Sequence, residues 1–256
     1  MREPFQSPIF PLLIAGVVVV VFLTIFAWLW AVRRPVPLEA NTSSPAPLPT
    51  PTEEPPLVYA AIGASDVVGV GASDPSTQSW VNMLHKKMPE STRFVRLGRG
   101  GIILREANQV EVPGAVAAQP DIVTMWNCVN DAMSGIPLAD YIKDFNAALA
   151  SLTRDTKTHV VVLNLPDISI LTSGMIDEQQ RALIQGGIRQ WNKAMSDAAA
   201  SYGGRVTVVD IFPISNEVLD HPEYISADNF HPSSAGYRRL AEVVWETIEQ
   251  KGLLRR

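Results

Sequence analysis

The sequence AAIGASDVVGVG, residues 60–71, decides how the rest of the chain is interpreted. It continues an apolar run, Leu57 to Ile62, whose length and composition predict a buried strand that stops at Gly63. Ser65 then lies on the exit turn of that strand. In open α/β sheets this carboxyl edge is where ligands bind, because the loops there converge on a crevice. A serine at this place can also simply cap the following helix, and only the remainder of the chain separates the two interpretations.

Three more short blocks follow along the chain. GRGG occupies residues 98–101, CVND occupies residues 128–131, and DNFHP occupies residues 228–232. The last block places Asp228 three residues before His231, just ahead of the final predicted helix. In this order the four blocks resemble those of the SGNH, or GDSL-type, serine esterases and lipases. That family carries Gly-Asp-Ser early in its domain, a glycine and Gly-x-Asn-Asp in the middle, and Asp-x-x-His near the end.

The resemblance covers roughly Leu57 to Gly252 and implies both a fold and a catalytic group. The implied fold is a three-layer α/β/α sandwich around a five-stranded parallel, flavodoxin-like sheet. A serine hydroxyl becomes a good nucleophile only when a base takes its proton, and that base must be held in the right tautomer. The catalytic residues so predicted are Ser65 as nucleophile, His231 as base and Asp228 as the carboxylate that orients His231.

The resemblance also implies the groups that stabilise the oxyanion formed during attack on an ester. They are the backbone N–H of Ser65, the backbone N–H of Gly101 and the side-chain amide of Asn130. From the residues alone, Gly101 could serve only to permit a positive φ in its turn, and Asn130 could be an ordinary turn residue.

Two positions depart from the family pattern. Ala64 stands where the family has an aspartate before the nucleophile, and Asp66 follows the nucleophile instead. Cys128 replaces the glycine that opens the third block. Its thiol could take the place of Ser65 as the nucleophile that His231 activates. A cysteine that ends a buried apolar strand, however, is usually an inert small hydrophobe.

Strands and helices alternate along the rest of the chain, which predicts parallel β-α-β units. The predicted strands are 57–62, 93–97, 122–128, 159–165 and 206–212. The predicted helices are 76–88, 104–118 with an interruption at Pro113, 138–153, 177–202 and 233–251. The segment Asp167 to Gly187, with its three glycines, is predicted to form a rim over the site that sets substrate choice.

Other titratable residues are given structural roles. His85, His159 and His221 are interpreted as surface or packing residues, and Asp66, Asp131 and Asp210 as helix caps or loop anchors. No cluster of His, Cys and carboxylates stands at metal-ligand spacing, so neither a metal nor any cofactor is expected.

The N-terminal part of the sequence predicts a membrane anchor. After a flank of residues 1–8, residues 9–32 carry no charge and would reach about 36 Å as a helix, enough for a hydrocarbon core of about 30 Å. A cleaved signal peptide is the competing interpretation, but the apolar stretch is long and no small-x-small cleavage site follows it. We therefore expect an uncleaved, single-pass transmembrane helix.

Residues 33–56 are rich in Pro, Ser, Thr and Ala and predict an extended linker, after which residues 57–256 form the hydrolase domain. The positive charges flanking the apolar stretch are nearly balanced and do not set its orientation. The stalk-like linker, together with the mostly secreted habit of the family, favours an extracellular domain.

The net charge of −5 and the pI near 5.4 give no basic surface for nucleic acid, so no nucleic-acid partner is expected. The sequence does not indicate an oligomeric state.

The function predicted is a membrane-anchored serine esterase acting on acetylated glycans, or on lysophospholipids and short acyl esters, through an acyl-enzyme. The alternative is a catalytically silent domain that binds glycans or lipids at the cell envelope.

Overall fold

The computed structural model describes residues 56–154, 156–172 and 175–254. Within these ranges five strands form one sheet in which every pairing is parallel, in the order β2-β1-β3-β4-β5. The strands are β1 (Val58–Gly63), β2 (Arg93–Arg96), β3 (Ile122–Trp126), β4 (His159–Leu163) and β5 (Val206–Val209). This is the flavodoxin-like order, and it confirms the predicted five-stranded parallel sheet.

The helices lie between the strands. The short ones are α1 (Ser65–Val68), α2 (Pro75–Gln78), α3 (Trp80–His85), α5 (Cys128–Met133) and α8 (Glu217–Asp220). The long ones are α4 (Leu104–Ala117), α6 (Leu138–Thr153), α7 (Glu178–Ala200) and α9 (Ser234–Lys251). Three 3-10 turns occupy Ile168–Thr172, Pro213–Asn216 and Pro222–Tyr224.

Helices cover the sheet on both sides, so its central strands are buried on both faces. All five residues of β3 are buried, as are the last five of β1. Helix α4 packs on β1 and α6, and α6 packs in turn on α7, whereas α9 packs on α3. Parallel strands covered in this way direct all their carboxyl ends to one edge, where the site lies.

The predicted strands begin within one residue of the observed ones, but the predicted ends of the last three extend too far. The third strand stops at Trp126 rather than Cys128, the fourth at Leu163 rather than Leu165, and the fifth at Val209 rather than Phe212. The buried residues beyond these ends, such as Leu165 and Ile211, lie in exit loops that are packed into the core. Apolar sequence continues there because the loops are buried.

Two predicted helices also differ from the structure. The helix predicted over 76–88 is divided at Ser79, which has an extended ψ of 153° and caps α3 through its hydroxyl. The predicted interruption at Pro113 is wrong, because α4 runs through it. Proline leaves the carbonyl four residues earlier without its helical partner. That residue, Gln109, is exposed, so water can take the place of the missing N–H.

The predicted flank (residues 1–8), transmembrane anchor (residues 9–32) and almost all of the linker (residues 33–56) lie outside the described residues. Among the helices that the structure does describe, none combines the length and the apolar character needed to cross a membrane.

Candidate active site

Ser65 lies at the first position of helix α1, one residue after the alanine that follows β1. The first N–H groups of a helix have no acceptor within the helix, so the Ser65 N–H is left for another partner. The side chain is half-buried and lines a cleft. The chain thus presents both the hydroxyl and the backbone N–H of one residue at the carboxyl edge of the sheet.

His231 and Asp228 meet Ser65 from the loop before α9. Nε2 of His231 lies 2.8 Å from Oγ of Ser65, and Nδ1 of His231 lies 2.6 Å from Oδ2 of Asp228. A neutral imidazole that carries its proton on Nδ1 donates to Asp228 and accepts from Ser65. The structure therefore brings together the three residues that the sequence predicted as nucleophile, base and orienting carboxylate.

The Asp228 carboxylate is fixed by its own loop. Oδ1 accepts the backbone N–H groups of Phe230 and His231, each at 2.9 Å, and the Ser226 hydroxyl at 2.7 Å. Partial burial alone would raise the pKa of Asp228, but the hydrogen bonds from His231, Ser226 and the backbone lower it to about 2. Asp228 is consequently ionised throughout the neutral range and holds the imidazole by a charge-assisted hydrogen bond.

The loop containing Gly71 packs against His231. Gly71, with φ of 93°, passes so close to His231 and Pro232 that a Cβ at this position would collide with both. The neighbouring carbonyl of Val70 accepts the Tyr237 hydroxyl of α9 at 2.6 Å. The chain just after the serine is thereby tied to the chain just after the histidine.

The predicted oxyanion donors lie in neighbouring segments: Ser65 begins helix α1, Gly101 lies in the turn before α4, and Asn130 is in helix α5. Nδ2 of Asn130 donates to the carbonyl of Ile102 at 2.9 Å, which places Asn130 against the turn containing Gly101 and leaves its second amide proton available. Gly98 packs on Val67 of α1 so closely that a side chain there would overlap it. Asn130 lines the cleft beside Ser65, whereas Gly101 is exposed, has φ of 74° and is not among the residues that line it.

Three carboxyl groups are buried near the segments that carry the predicted oxyanion donors. Burial raises the pKa of Asp66 to about 7, of Glu111 to about 8 and of Asp131 to about 7. Asp66 accepts the Trp80 indole N–H at 3.1 Å, and Asp131 accepts the first N–H of α4 at 2.9 Å. Those contacts agree with the predicted anchoring and capping roles of the two aspartates.

Glu111 was missed by the sequence analysis. It is 1% exposed, and its Oε2 accepts the N–H of Gly63 at 3.1 Å, directly under the turn that carries Ser65. Its other oxygen is buried without a hydrogen-bond partner. The signal in the sequence was its spacing, because Glu111 stands seven residues after Leu104 and four before Ala115, both buried on the inner face of α4.

Cys128 opens helix α5 and does not end a strand as predicted. It is fully buried, its Sγ lies 3.8 Å from the carbonyl of Leu163, and burial raises the pKa of its thiol. A buried, protonated thiol is a poor nucleophile. Within the described part of the chain, no three His, Cys, Asp or Glu side chains are grouped so that they could hold a metal ion.

An apolar cleft of about 150 Å³ extends from Ser65 and His231. Most of its lining comes from the loops that follow β4 and β5, including Ile168, Ile170, Leu171, Ile211, Ile214 and Val218. Of the rim predicted over 167–187, Asp167, Ile168, Ile170 and Leu171 line the cleft. Gly186 and Gly187 of that prediction lie in the exposed middle of helix α7 and contribute nothing to the rim.

Comparisons with known proteins agree with this fold. The GDSL-like lipase/acylhydrolase family matches residues 61–239, which is 179 of the 256 residues. The spore germination lipase LipC of Bacillus licheniformis is 23% identical over 216 residues, covering 73% of this chain and 93% of that protein.

Solved structures with the same fold include the following two. A lipase from a goat rumen metagenome, Lip_vut3, has a TM-score of 0.60 at 22% identity, over 78% of this chain and 99% of its own. An acetyl-xylooligosaccharide esterase from Geobacillus has a TM-score of 0.59 at 19% identity, over 77% of this chain and 94% of its own. At such identities these structures establish the fold alone.

Proposed function

The chain belongs to the GDSL-like lipase/acylhydrolase family and is a hydrolase of ester bonds, and on that premise we propose that Ser65, His231 and Asp228 are its catalytic residues. The observation that carries this proposal is the unbroken series of contacts, 2.8 Å from Ser65 to His231 and 2.6 Å from His231 to Asp228, at the mouth of an apolar cleft.

The proposed reaction has two halves. The Ser65 Oγ attacks the ester carbonyl while Nε2 of His231 takes its proton; the alcohol then leaves with that proton, and the acyl group stays on Ser65. Water, deprotonated by His231, next releases the acid and restores the hydroxyl. Asp228 keeps the imidazole proton on Nδ1 and stabilises the imidazolium that forms in each half.

The negative charge on the carbonyl oxygen is proposed to be received by the N–H of Ser65, the amide of Asn130 and the N–H of Gly101. Support is strongest for Ser65 and Asn130, since both line the cleft. Fixed donors of this kind are typically the largest single contribution to acyl-transfer catalysis.

The cleft favours an apolar acyl group as the part of the substrate that it holds. A cavity of about 150 Å³ lined by Leu, Ile and Phe is large enough for benzene, that is, roughly six carbons. We therefore place esters of acids with about four to six carbons ahead of acetyl esters.

Acetylated glycans are the second candidate. Their support is the similarity of fold to an acetyl-xylooligosaccharide esterase and the exposed loop around Gly101, where a bulky sugar alcohol would have room. An acetyl group would leave most of the apolar cleft empty.

We further propose that residues 9–32 anchor the enzyme in a membrane with the catalytic domain outside. The support is the uncharged apolar run and the Pro-rich stretch that follows it. Protease added to intact cells should remove the domain; a domain that is digested only after lysis would contradict the outward orientation.

The catalytic proposal is tested with the full chain in mild detergent, on p-nitrophenyl acetate, butyrate and hexanoate and with a fluorophosphonate probe. Ser65→Ala should abolish both hydrolysis and labelling. The matched control is Ser73→Ala, because Ser73 is an exposed serine in a second Gly-Ala-Ser-Asp sequence at residues 71–74. Hydrolysis that survives Ser65→Ala would overturn the proposal, and a wild type that binds esters without cleaving them would favour the silent alternative.

A further inference from the structure

One wall of the apolar cleft is a single 3-10 turn, Ile168–Thr172. Three of its residues, Ile168, Ile170 and Leu171, line the cleft. Such a turn has few internal hydrogen bonds, so its position must be fixed by contacts to other elements. Those contacts decide how much room an acyl chain has.

Asp167 is the residue that fixes the start of this turn. It is fully buried, and its Oδ1 accepts both the N–H of Ser169 at 3.0 Å and the Ser169 hydroxyl at 2.5 Å. Its backbone N–H donates to the hydroxyl of Ser215 at 3.0 Å, on the turn that supplies the facing side of the cleft. One buried residue thus connects both walls.

Helix α7 supplies the outer support. Nε2 of Gln185 donates to Oδ2 of Asp167 at 2.6 Å. Asn192, seven residues further along the same face of α7, binds the N–H and the carbonyl of Leu165 at 2.8 and 2.9 Å. Positions seven apart lie two helical turns from each other on one face, so the two amides hold the segment 165–167 from one rigid element.

Gln185 is the residue nearest to solvent among those that hold the turn. It is half-buried, whereas Asp167 has no access to water, so Gln185 alone saturates the second oxygen of a buried carboxylate. Without that donor, Oδ2 of Asp167 would need water to satisfy it, and a buried acceptor without a partner is strongly unfavourable. Because Asp167 has no exposed surface, a water that took this place would have to enter between the turn and α7.

We infer that Gln185 and Asp167 form a clamp that sets the width of the acyl cleft and so limits the acyl chain to about six carbons. This inference rests on the proposed function, because it takes the apolar cleft to hold the acyl part of the ester. The two residues are positioning residues: Asp167 is part of the cleft lining and Gln185 contacts it from α7, whereas the reacting atoms belong to Ser65 and His231.

The test compares full-length variants on a series of p-nitrophenyl esters from acetate to decanoate. Gln185→Leu removes the donor while nearly conserving volume, and Gln185→Lys restores a donor to Asp167. Gln190→Leu is the matched control, because Gln190 is an exposed glutamine on the same helix. Binding of the corresponding free fatty acids, measured by isothermal titration calorimetry, provides a second readout that does not require turnover.

In the wild type, kcat/KM should fall at least about 10-fold between hexanoate and octanoate, as expected when two further methylenes exceed an apolar cleft of about 150 Å³. Gln185→Leu should raise the octanoate-to-butyrate ratio of kcat/KM by about threefold or more, mainly through a lower KM for octanoate, with acetate unchanged. Gln185→Lys and Gln190→Leu should keep the wild-type profile.

An unchanged chain-length profile in a folded Gln185→Leu protein would overturn the inference while leaving the catalytic proposal intact. If the wild type cleaves none of the esters, the catalytic proposal fails, and the fatty-acid binding profile still decides the inference. Fatty acids that bind the wild type without any dependence on chain length would also overturn it.

Discussion

The imidazole Nε2 of His231 lies 2.8 Å from the hydroxyl of Ser65, although 166 positions separate the two residues in the sequence. Ser65 follows the first strand of the sheet, and His231 precedes the last helix. The contact therefore exists only when the whole sheet and its final helix are in place. It couples catalysis, as proposed here, to completion of the fold.

Replacing the carboxylate of Asp228 by an amide should show whether the charge of this residue, and not only its shape, is needed for catalysis. In Asp228→Asn, the side chain keeps its shape but favours the wrong imidazole tautomer, so we expect kcat to fall by about 10⁴-fold with little change in KM. Steady-state kinetics on p-nitrophenyl butyrate measure this. Asp220→Asn, at an exposed site on α8, should match the wild type; a fall of less than tenfold in Asp228→Asn would mean that His231 needs no carboxylate.

Asn130→Ala should affect the transition state more than substrate binding. Loss of one oxyanion donor typically lowers kcat by about 100 to 1000-fold. The control is Gln109→Ala, which removes an exposed side-chain amide from α4 and should leave kcat unchanged. If KM rises in Asn130→Ala and kcat is unchanged, Asn130 binds the ground state and is not an oxyanion donor.

The single cysteine should be dispensable for catalysis. Because Cys128 is fully buried and its pKa is raised, iodoacetamide should not inhibit the native enzyme, and Cys128→Ala should retain wild-type kcat. Initial rates before and after alkylation measure this. If iodoacetamide inactivates the wild type but not Cys128→Ala, the result would support the thiol as the nucleophile.

Stability should decrease as the pH rises, in part because of Glu111. Burial raises the pKa of this carboxyl from 4.5 to about 8 in the folded protein. Below pH 4.5 it is protonated in both the folded and unfolded states. Between the two values only the unfolded chain gives up the proton, so stability is lost progressively as the pH rises through the folded pKa, by a few kcal/mol at about 1.4 kcal/mol per pKa unit.

Urea unfolding at pH 5, 7 and 9 should show this decrease in the wild type and a smaller one in Glu111→Gln. The amide oxygen of that variant can still accept the N–H of Gly63 but cannot ionise. Asp66 and Asp131, whose pKa values are raised in the same direction, account for the part that remains. Glu106→Gln, at an exposed site on the same helix, should behave like the wild type. Equal pH dependence in Glu111→Gln and the wild type would contradict this assignment.

The sheet could be predicted from local patterns, and the proximity of Ser65, His231 and Asp228 from the order of the family's sequence blocks. Apolar runs marked the strands, and the paired Asp228 and His231 marked the last block. The ends of strands could not be predicted, because Leu165 and Ile211 are as buried in their loops as the strand residues before them. These residues are apolar because they are buried, not because they pair in the sheet.

Other features depend on contacts between distant segments. Nothing in the neighbourhood of Glu111 indicates that it lies under Gly63, because that contact joins helix α4 to the exit of β1. The continuity of α4 through Pro113 likewise depends on which face of the helix meets water. Gly101, predicted as a donor by resemblance, is exposed and is not among the residues that line the cleft.

The distance along the chain between Ser65 and His231 has a consequence for biosynthesis. At about 5–20 residues per second, a ribosome needs roughly 8–30 s to add the 166 residues between hydroxyl and imidazole. During that interval the nascent polypeptide carries a nucleophile without its base. In the proposed mechanism the growing chain is therefore inert toward every ester near its site of translation until the final helix follows.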